Sequence, residues 1–242
     1  MHIFAKTHIG KERKRNEDCI YYSKEKALLA VADGLGGHLA GEFASKKAVD
    51  MLIDELRVEP KIVRPKYLAA IIKKINDEIF RISLSNIKYD GMGSTLVFAL
   101  KREDRIYIAN IGDSRAYLLR NGHLRQLTVD HSHVQYLLEK GEISFEEMRR
   151  HPLRNLITKS LGLRISESPD IFDLGVEEGD LYLLCSDGLT NMLTDQKIKE
   201  LLLNHMPLKK KVAKLIDAAN EKGGKDNISA GIMTIDTKDL EI

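Results

Sequence analysis

Apolar positions follow two rhythms along this chain. Alternating or short continuous apolar runs predict strands at about 2–9, 19–23, 27–32, 94–101, 105–111, 115–120, 123–127, 170–174, 180–185 and 228–235. The Asn121-Gly122 pair between two of these runs is a hairpin signal. A period near 3.6 places Leu68, Ile71, Ile72, Ile75, Ile79 and Ile82 on one helix face. Ala44, Ala48, Met51, Leu52 and Leu56 form a second stripe, and Leu208, Val212, Leu215, Ile216 and Ala219 a third. Residues 131–160 are less regular, with shorter helical pieces at Val134–Lys140 and Phe145–Arg150, and read as an insertion over the surface. Helix and strand do not alternate as in a doubly wound sheet. The order predicts an α+β fold with sheets at the centre and helices outside.

Composition narrows the function. The chain has 242 residues, 43% hydrophobic and 31% charged, which argues against disorder. A formal net charge of +2 gives no strong attraction to nucleic acid or to a membrane. The Lys209-Lys210-Lys211 cluster reads as a solvated helix face. Cys19 and Cys185 lack zinc spacing and read as buried thiols of a reducing compartment. With no secretory pattern at the N-terminus and no apolar run near the roughly 20 residues that span a bilayer, the chain reads as cytoplasmic. No Pro-, Gly- or Ser-rich linker divides it, and no solenoid repeat is found.

The candidate chemistry is acidic. Two apolar strands end in Asp-Gly: Ala27–Ala32 runs into Asp33-Gly34, and Leu181–Ser186 into Asp187-Gly188. A carboxylate at a buried strand tip is costly unless something positive meets it. Asp18, Asp113 and Asp226 sit in similar settings, whereas Asp90-Gly91 reads as a plain turn. Carboxylates that converge need a cation, and oxygen-only ligands favour Mg²⁺ or Mn²⁺ over zinc. Gly34, Gly36 and Gly37 let the backbone turn at the strand tip, where the Gly34 carbonyl can face a metal. The loop lacks the pattern of a P-loop or of GxGxxG. Arg13, four residues before Glu17, either balances charge or clamps a phosphate.

Eight segments in order carry a resemblance. They are Gly10–Asp18; Val31–His38 with Gly41-Glu42; Gly91–Thr95; Asn110–Arg115; Leu127–Ser132; His151–Asn155; Cys185–Leu189; and Gly224–Asn227. Through them the chain resembles the metal-dependent protein serine/threonine phosphatases of type 2C, the PPM family, in their short bacterial form. The resemblance covers essentially the whole chain and implies one domain over 1–242, a sandwich of two antiparallel sheets flanked by helix pairs, with residues 131–160 as a flap beside the site. It implies that Asp33 bridges two Mn²⁺ or Mg²⁺ ions, that the Gly34 carbonyl ligates one, and that Asp187 and Asp226 hold the other. Asp113, with Asp187, would hold a third, weaker ion. Glu17 and Asp18 would orient coordinated waters, and Arg13 would bind the substrate phosphate.

The implied activity is hydrolysis of phosphoserine and phosphothreonine in proteins by a metal-activated water, without a phosphoenzyme. The implied partners are phosphorylated proteins and an opposing serine/threonine kinase, for a monomer that meets neither nucleic acid nor membrane. Three departures stand out. Leu35 replaces a histidine that some relatives offer as general acid, His8 replaces an aspartate, and His38 reads as a hydrogen-bonded loop residue rather than a zinc ligand. Glu42 reads as a first-turn helix acid. Two other functions compete: a binding module without turnover, against which the intact set of Arg13, Asp33, Asp113, Asp187 and Asp226 argues, and a two-metal nuclease, against which the near-neutral charge and the lack of a basic, aromatic-lined groove argue.

Overall fold

The computed structural model describes residues 1–36, 39–57, 63–163 and 168–239. Gly37 and His38, a predicted turn glycine and loop histidine, lie outside them. One sheet pairs β1 (His2–His8), β11 (Ile228–Thr234), β10 (Leu181–Cys185), β7 (Arg115–Arg120) and β8 (His123–Gln126), in that order. The other pairs β2 (Asp18–Ser23), β3 (Leu28–Leu35), β5 (Leu96–Arg102), β6 (Arg105–Ile111) and β9 (Asp170–Gly175), with the short β4 (Gly93–Ser94) against the end of β3. Every pairing within the two sheets is antiparallel. The expected strands are all present. Asn121 and Gly122 both take positive φ, 51° and 74°, as a two-residue hairpin requires.

Three apolar layers hold the sheets and helices together. Leu29, Val31, Val97, Ile108, Leu118, Tyr182, Leu184 and Met233 interdigitate between the sheets. Helices α1 (Leu39–Glu55) and α2 (Pro65–Ser85) cover the outer face of the β3 sheet. Leu68, Ile71, Ile72, Ile75 and Ile79 of α2 are all buried there; each contributes about 1.5–3 kcal/mol over exposure. Pro65 starts α2, where its fixed φ and missing N–H cost nothing.

Helix α7 (Leu208–Glu221) covers the other outer face with Val212, Leu215, Ile216 and Ala219. Its lysines are solvated, apart from half-buried Lys211, which donates to the Leu202 carbonyl. Beside it lies α6 (Asp195–Leu203), which the apolar pattern did not reveal. Only Ile198 and Leu202 of α6 are buried, so its stripe is too short to register, and its clearest signal is the Thr194 cap on the Lys197 amide. A single turn, α5 (Asp187–Thr190), was also not anticipated.

Residues 131–160 carry α3 (His133–Glu139), capped by Ser132, and α4 (Phe145–Arg150), opened by a Ser144–Glu147 capping box. The segment is less superficial than its pattern suggested. His131, Ser132, Val134 and Met148 are buried, and its ends meet through the Ser132–Ile157 bridge. Cys185 is buried as expected, while Cys19 is only half-buried; both are free, and burial pushes their thiols up, to about 12 and about 11.

Candidate metal centre

Antiparallel pairing delivers the acidic residues to one end of the sandwich. Asp33, near the end of β3, stands directly opposite Asp18 at the start of β2. Asp187 follows the end of β10, and Asp226 precedes the start of its neighbour β11. Asp113 lies in the turn between β6 and β7, and β7 starts beside the end of β10. The β1–β2 loop crosses the same end and carries Arg13 and Glu17. Together they line a cavity of about 190 Å³ walled by Arg13, Glu17, Asp33, Gly34, Leu35, Asp113, Asn155, Ile157, Asp187, Asp226 and Asn227. Of the expected site residues, only Asp18 is absent from that wall. It lies behind, where the Ser186 and Ser229 hydroxyls donate to its Oδ2 at 2.8 and 2.6 Å.

Side chains that sequence reasoning did not single out fix this geometry. Asn227 accepts the Glu17 amide on Oδ1 and donates Nδ2 to the Ile9 and Arg15 carbonyls, pinning the Arg13 loop. Thr95 accepts the Asp33 amide at 2.9 Å and meets Ser114 at 2.8 Å, tying the β3 tip to the Asp113 turn. That turn passes through Gly112 at φ 114°. His131 Nδ1 accepts the Gly112 amide at 3.0 Å, which fixes the tautomer so that Nε2–H faces Asp170 at 3.2 Å. Burial holds the His131 pKa below its ordinary value. The β3 tip also needs glycine: a Cβ on Gly34 would stand 2.1 Å from the Gly41 carbonyl oxygen, where α1 starts.

The electrostatics of the cluster are unfavourable as they stand. Burial, then the charges of Asp18, Asp187, Asp113 and Asp226, hold the Asp33 carboxyl well above the usual range. Burial, then Asp187, does the same to Asp113. Asp187 rises to about 6 through burial and Asp226. Asp18 rises to about 7 through burial, against its two hydroxyl donors. Arg13 donates Nη2 to Asp226 Oδ2 at 2.7 Å. Burial lowers the Arg13 pKa, but the opposing acids, Asp226 foremost, outweigh it and raise it. Oδ1 of Asp187 is buried with no donor, and a buried acceptor left so costs about 1–3 kcal/mol, more when charged.

Among the described residues no three acidic, histidine or cysteine side chains close on a point as a finished coordination shell. Arg13 holds Asp226, while the Asp33 and Asp187 carboxyl groups repel each other within the cavity. Mutual repulsion, an orphaned carboxylate oxygen and an all-oxygen donor set around one cavity fit hard divalent cations. Leu35 is on the wall and offers no proton. Glu42 lies in the first turn of α1, half exposed and 3.9 Å from Arg15.

The protein phosphatase 2C profile matches residues 6–231. The chain belongs to the protein phosphatase 2C family. It is similar to the serine/threonine phosphatase stp of Listeria monocytogenes, 40% identical over 95% of this chain and 94% of that one. The crystal structure of the serine/threonine phosphatase PstP/Ppp of Mycobacterium tuberculosis superposes with a TM-score of 0.90 at 36% identity, over 97% of this chain and 98% of that chain. A structure of the PstP catalytic domain in complex with two manganese ions gives 0.86 at 35% identity, over 96% of each chain. The two-sheet α+β sandwich is thus the architecture of protein phosphatase 2C, a metal-dependent protein serine/threonine phosphatase family.

Proposed function

We propose that this cavity hydrolyses phosphoserine and phosphothreonine in proteins by direct attack of water. The observation that carries the reading is five aspartates from five strand ends on and behind one cavity, with an arginine at its wall and a buried Asp187 oxygen that no protein donor meets. Asp33, Asp187 and Asp226 with the Gly34 carbonyl would hold two Mn²⁺ or Mg²⁺ ions, and Asp113 with Asp187 a third. When bound, such ions acidify a coordinated water and neutralise phosphoryl charge. Arg13 lies half exposed beside Asp226, where its fork can receive two phosphoryl oxygens. Glu17 would orient water at the acidic wall, and Asp18 would act from behind it. Leu35 has no proton to give the departing oxygen.

The serine/threonine phosphatase named in Listeria, and the like-named solved structures, support phosphorylated proteins as substrates. We read the chain as one unit over 1–242 with residues 131–160 as its flap, acting as a cytoplasmic monomer that reverses a serine/threonine kinase. No described helix is long and apolar enough to cross a membrane. The test is phosphate release from a phosphothreonine peptide and from para-nitrophenyl phosphate, with Mn²⁺ and then EDTA. Release that requires Mn²⁺ is expected; none under either condition would leave a binding module.

A further inference from the structure

A second cavity, of about 240 Å³, opens beside the carboxylate centre and shares Asp113 and Asp187 with it. Segment 131–160 forms one side, and the α5–α6 region with Lys225 forms the other. Its deep wall is apolar: Val134 and Met148 are 2% and 8% exposed, with half-buried Met192 opposite.

Charge on this cavity is unevenly spent. Arg115 is consumed by Asp130, with Nε 2.8 Å from Oδ1 and Nη2 2.6 Å from Oδ2. Asp195 accepts the Tyr117 hydroxyl, and Asp113 and Asp187 belong to the carboxylate centre. Arg149, Arg154 and Lys225 remain. Among the described residues their side chains make no hydrogen bond or ion pair, although they come from two sides of the cavity. Arg149 suits the last turn of α4 through the helix dipole, but that does not account for Arg154 or Lys225.

We propose that this cavity receives an anionic side chain of the substrate protein, a carboxylate or a second phosphate, close in sequence to the residue being dephosphorylated. The inference rests on the phosphatase reading above and names its substrate class. Because the two cavities share a wall, an occupant of the second lies within a short extended step of the phosphate in the first. The apolar wall takes the methylene stem, and the three unpaired cations meet the charge.

The experiment compares para-nitrophenyl phosphate with phosphothreonine peptides flanked on both sides by Glu, Gln or Lys, and with a doubly phosphorylated peptide. The expected kcat/KM for the Glu-flanked and doubly phosphorylated peptides exceeds the Gln-flanked one by about fivefold to tenfold, the gap narrowing with salt. The Lys-flanked peptide falls below both. Arg149→Glu removes the preference and leaves para-nitrophenyl phosphate turnover unchanged. Equal kcat/KM for the Glu and Gln peptides while the small ester is still hydrolysed overturns the inference and spares the phosphatase reading. So does a preference untouched by Arg149→Glu. Loss of turnover on every substrate overturns both.

Discussion

Replacing Asp187 by Asn should stabilise the metal-free protein while destroying its function. The Asp187 carboxyl rises from 3.8 to about 6 through burial and the Asp226 charge. A raised acid binds its proton more tightly folded than unfolded. Its cost is therefore absent below pH about 4, grows between pH about 4 and 6, and is complete above that window. At pH 8 the shift corresponds to about 3 kcal/mol. The amide retains an oxygen for the Asn191 donor, now 2.9 Å from Oδ2, but a neutral acceptor gives up about 1 kcal/mol. The net gain of about 2 kcal/mol raises Tm by about 4–8 °C for a chain of this size. The assay is thermal unfolding followed by circular dichroism at pH 8 in EDTA, repeated with saturating Mn²⁺. The metal should add about 2.7 kcal/mol to the wild type at a hundredfold excess over Kd and much less to the variant. The wild type in EDTA should also lose stability from pH 5 to pH 8, and the variant less. An Asp187→Asn protein that melts below the wild type in EDTA at pH 8, or gains as much from Mn²⁺, would refute the electrostatic argument.

Arg13→Ala should lower kcat/KM by about a hundredfold on peptide and small ester alike, with partial recovery in Arg13→Lys, which keeps charge but not the planar fork; steady-state kinetics decide, and an unchanged kcat/KM assigns Arg13 to charge balance with Asp226. His131→Asn keeps an acceptor for the Gly112 amide and loses only the Asp170 contact, so Mn²⁺ affinity measured by calorimetry should fall less than in His131→Ala; equal losses would remove the Gly112 anchor from the account. Gly34→Ala forces backbone apart where the gap is 2.1 Å and should cost about 1–3 kcal/mol with weaker Mn²⁺ binding; an unshifted urea midpoint would contradict the packing.

The acidic centre was legible because each of its residues marks the end or start of an apolar strand, and antiparallel order brings such ends together. Asp90-Gly91 shows the limit of the dipeptide as a signal: it closes a turn after Ile87–Tyr89, with the Met92 amide on the Tyr89 carbonyl. What holds the centre was not legible. Asp18 is gripped by Ser186 and Ser229, 168 and 211 residues away, and only the packing of one sheet on the other makes them neighbours. The His131 anchor on Gly112 likewise depends on how segment 131–160 folds back. Helix α6 escaped because two buried residues do not make a periodicity.

The proposed hydrolysis depends on divalent cations held at the Asp33 strand tip. Equilibrium binding of Mn²⁺, followed by electron paramagnetic resonance of the free ion, tests it most directly in the wild type and in Asp33→Asn. At least two ions should bind per wild-type chain, and the tightest sites should be lost in the variant. Equal stoichiometry and affinity in the two proteins would contradict it.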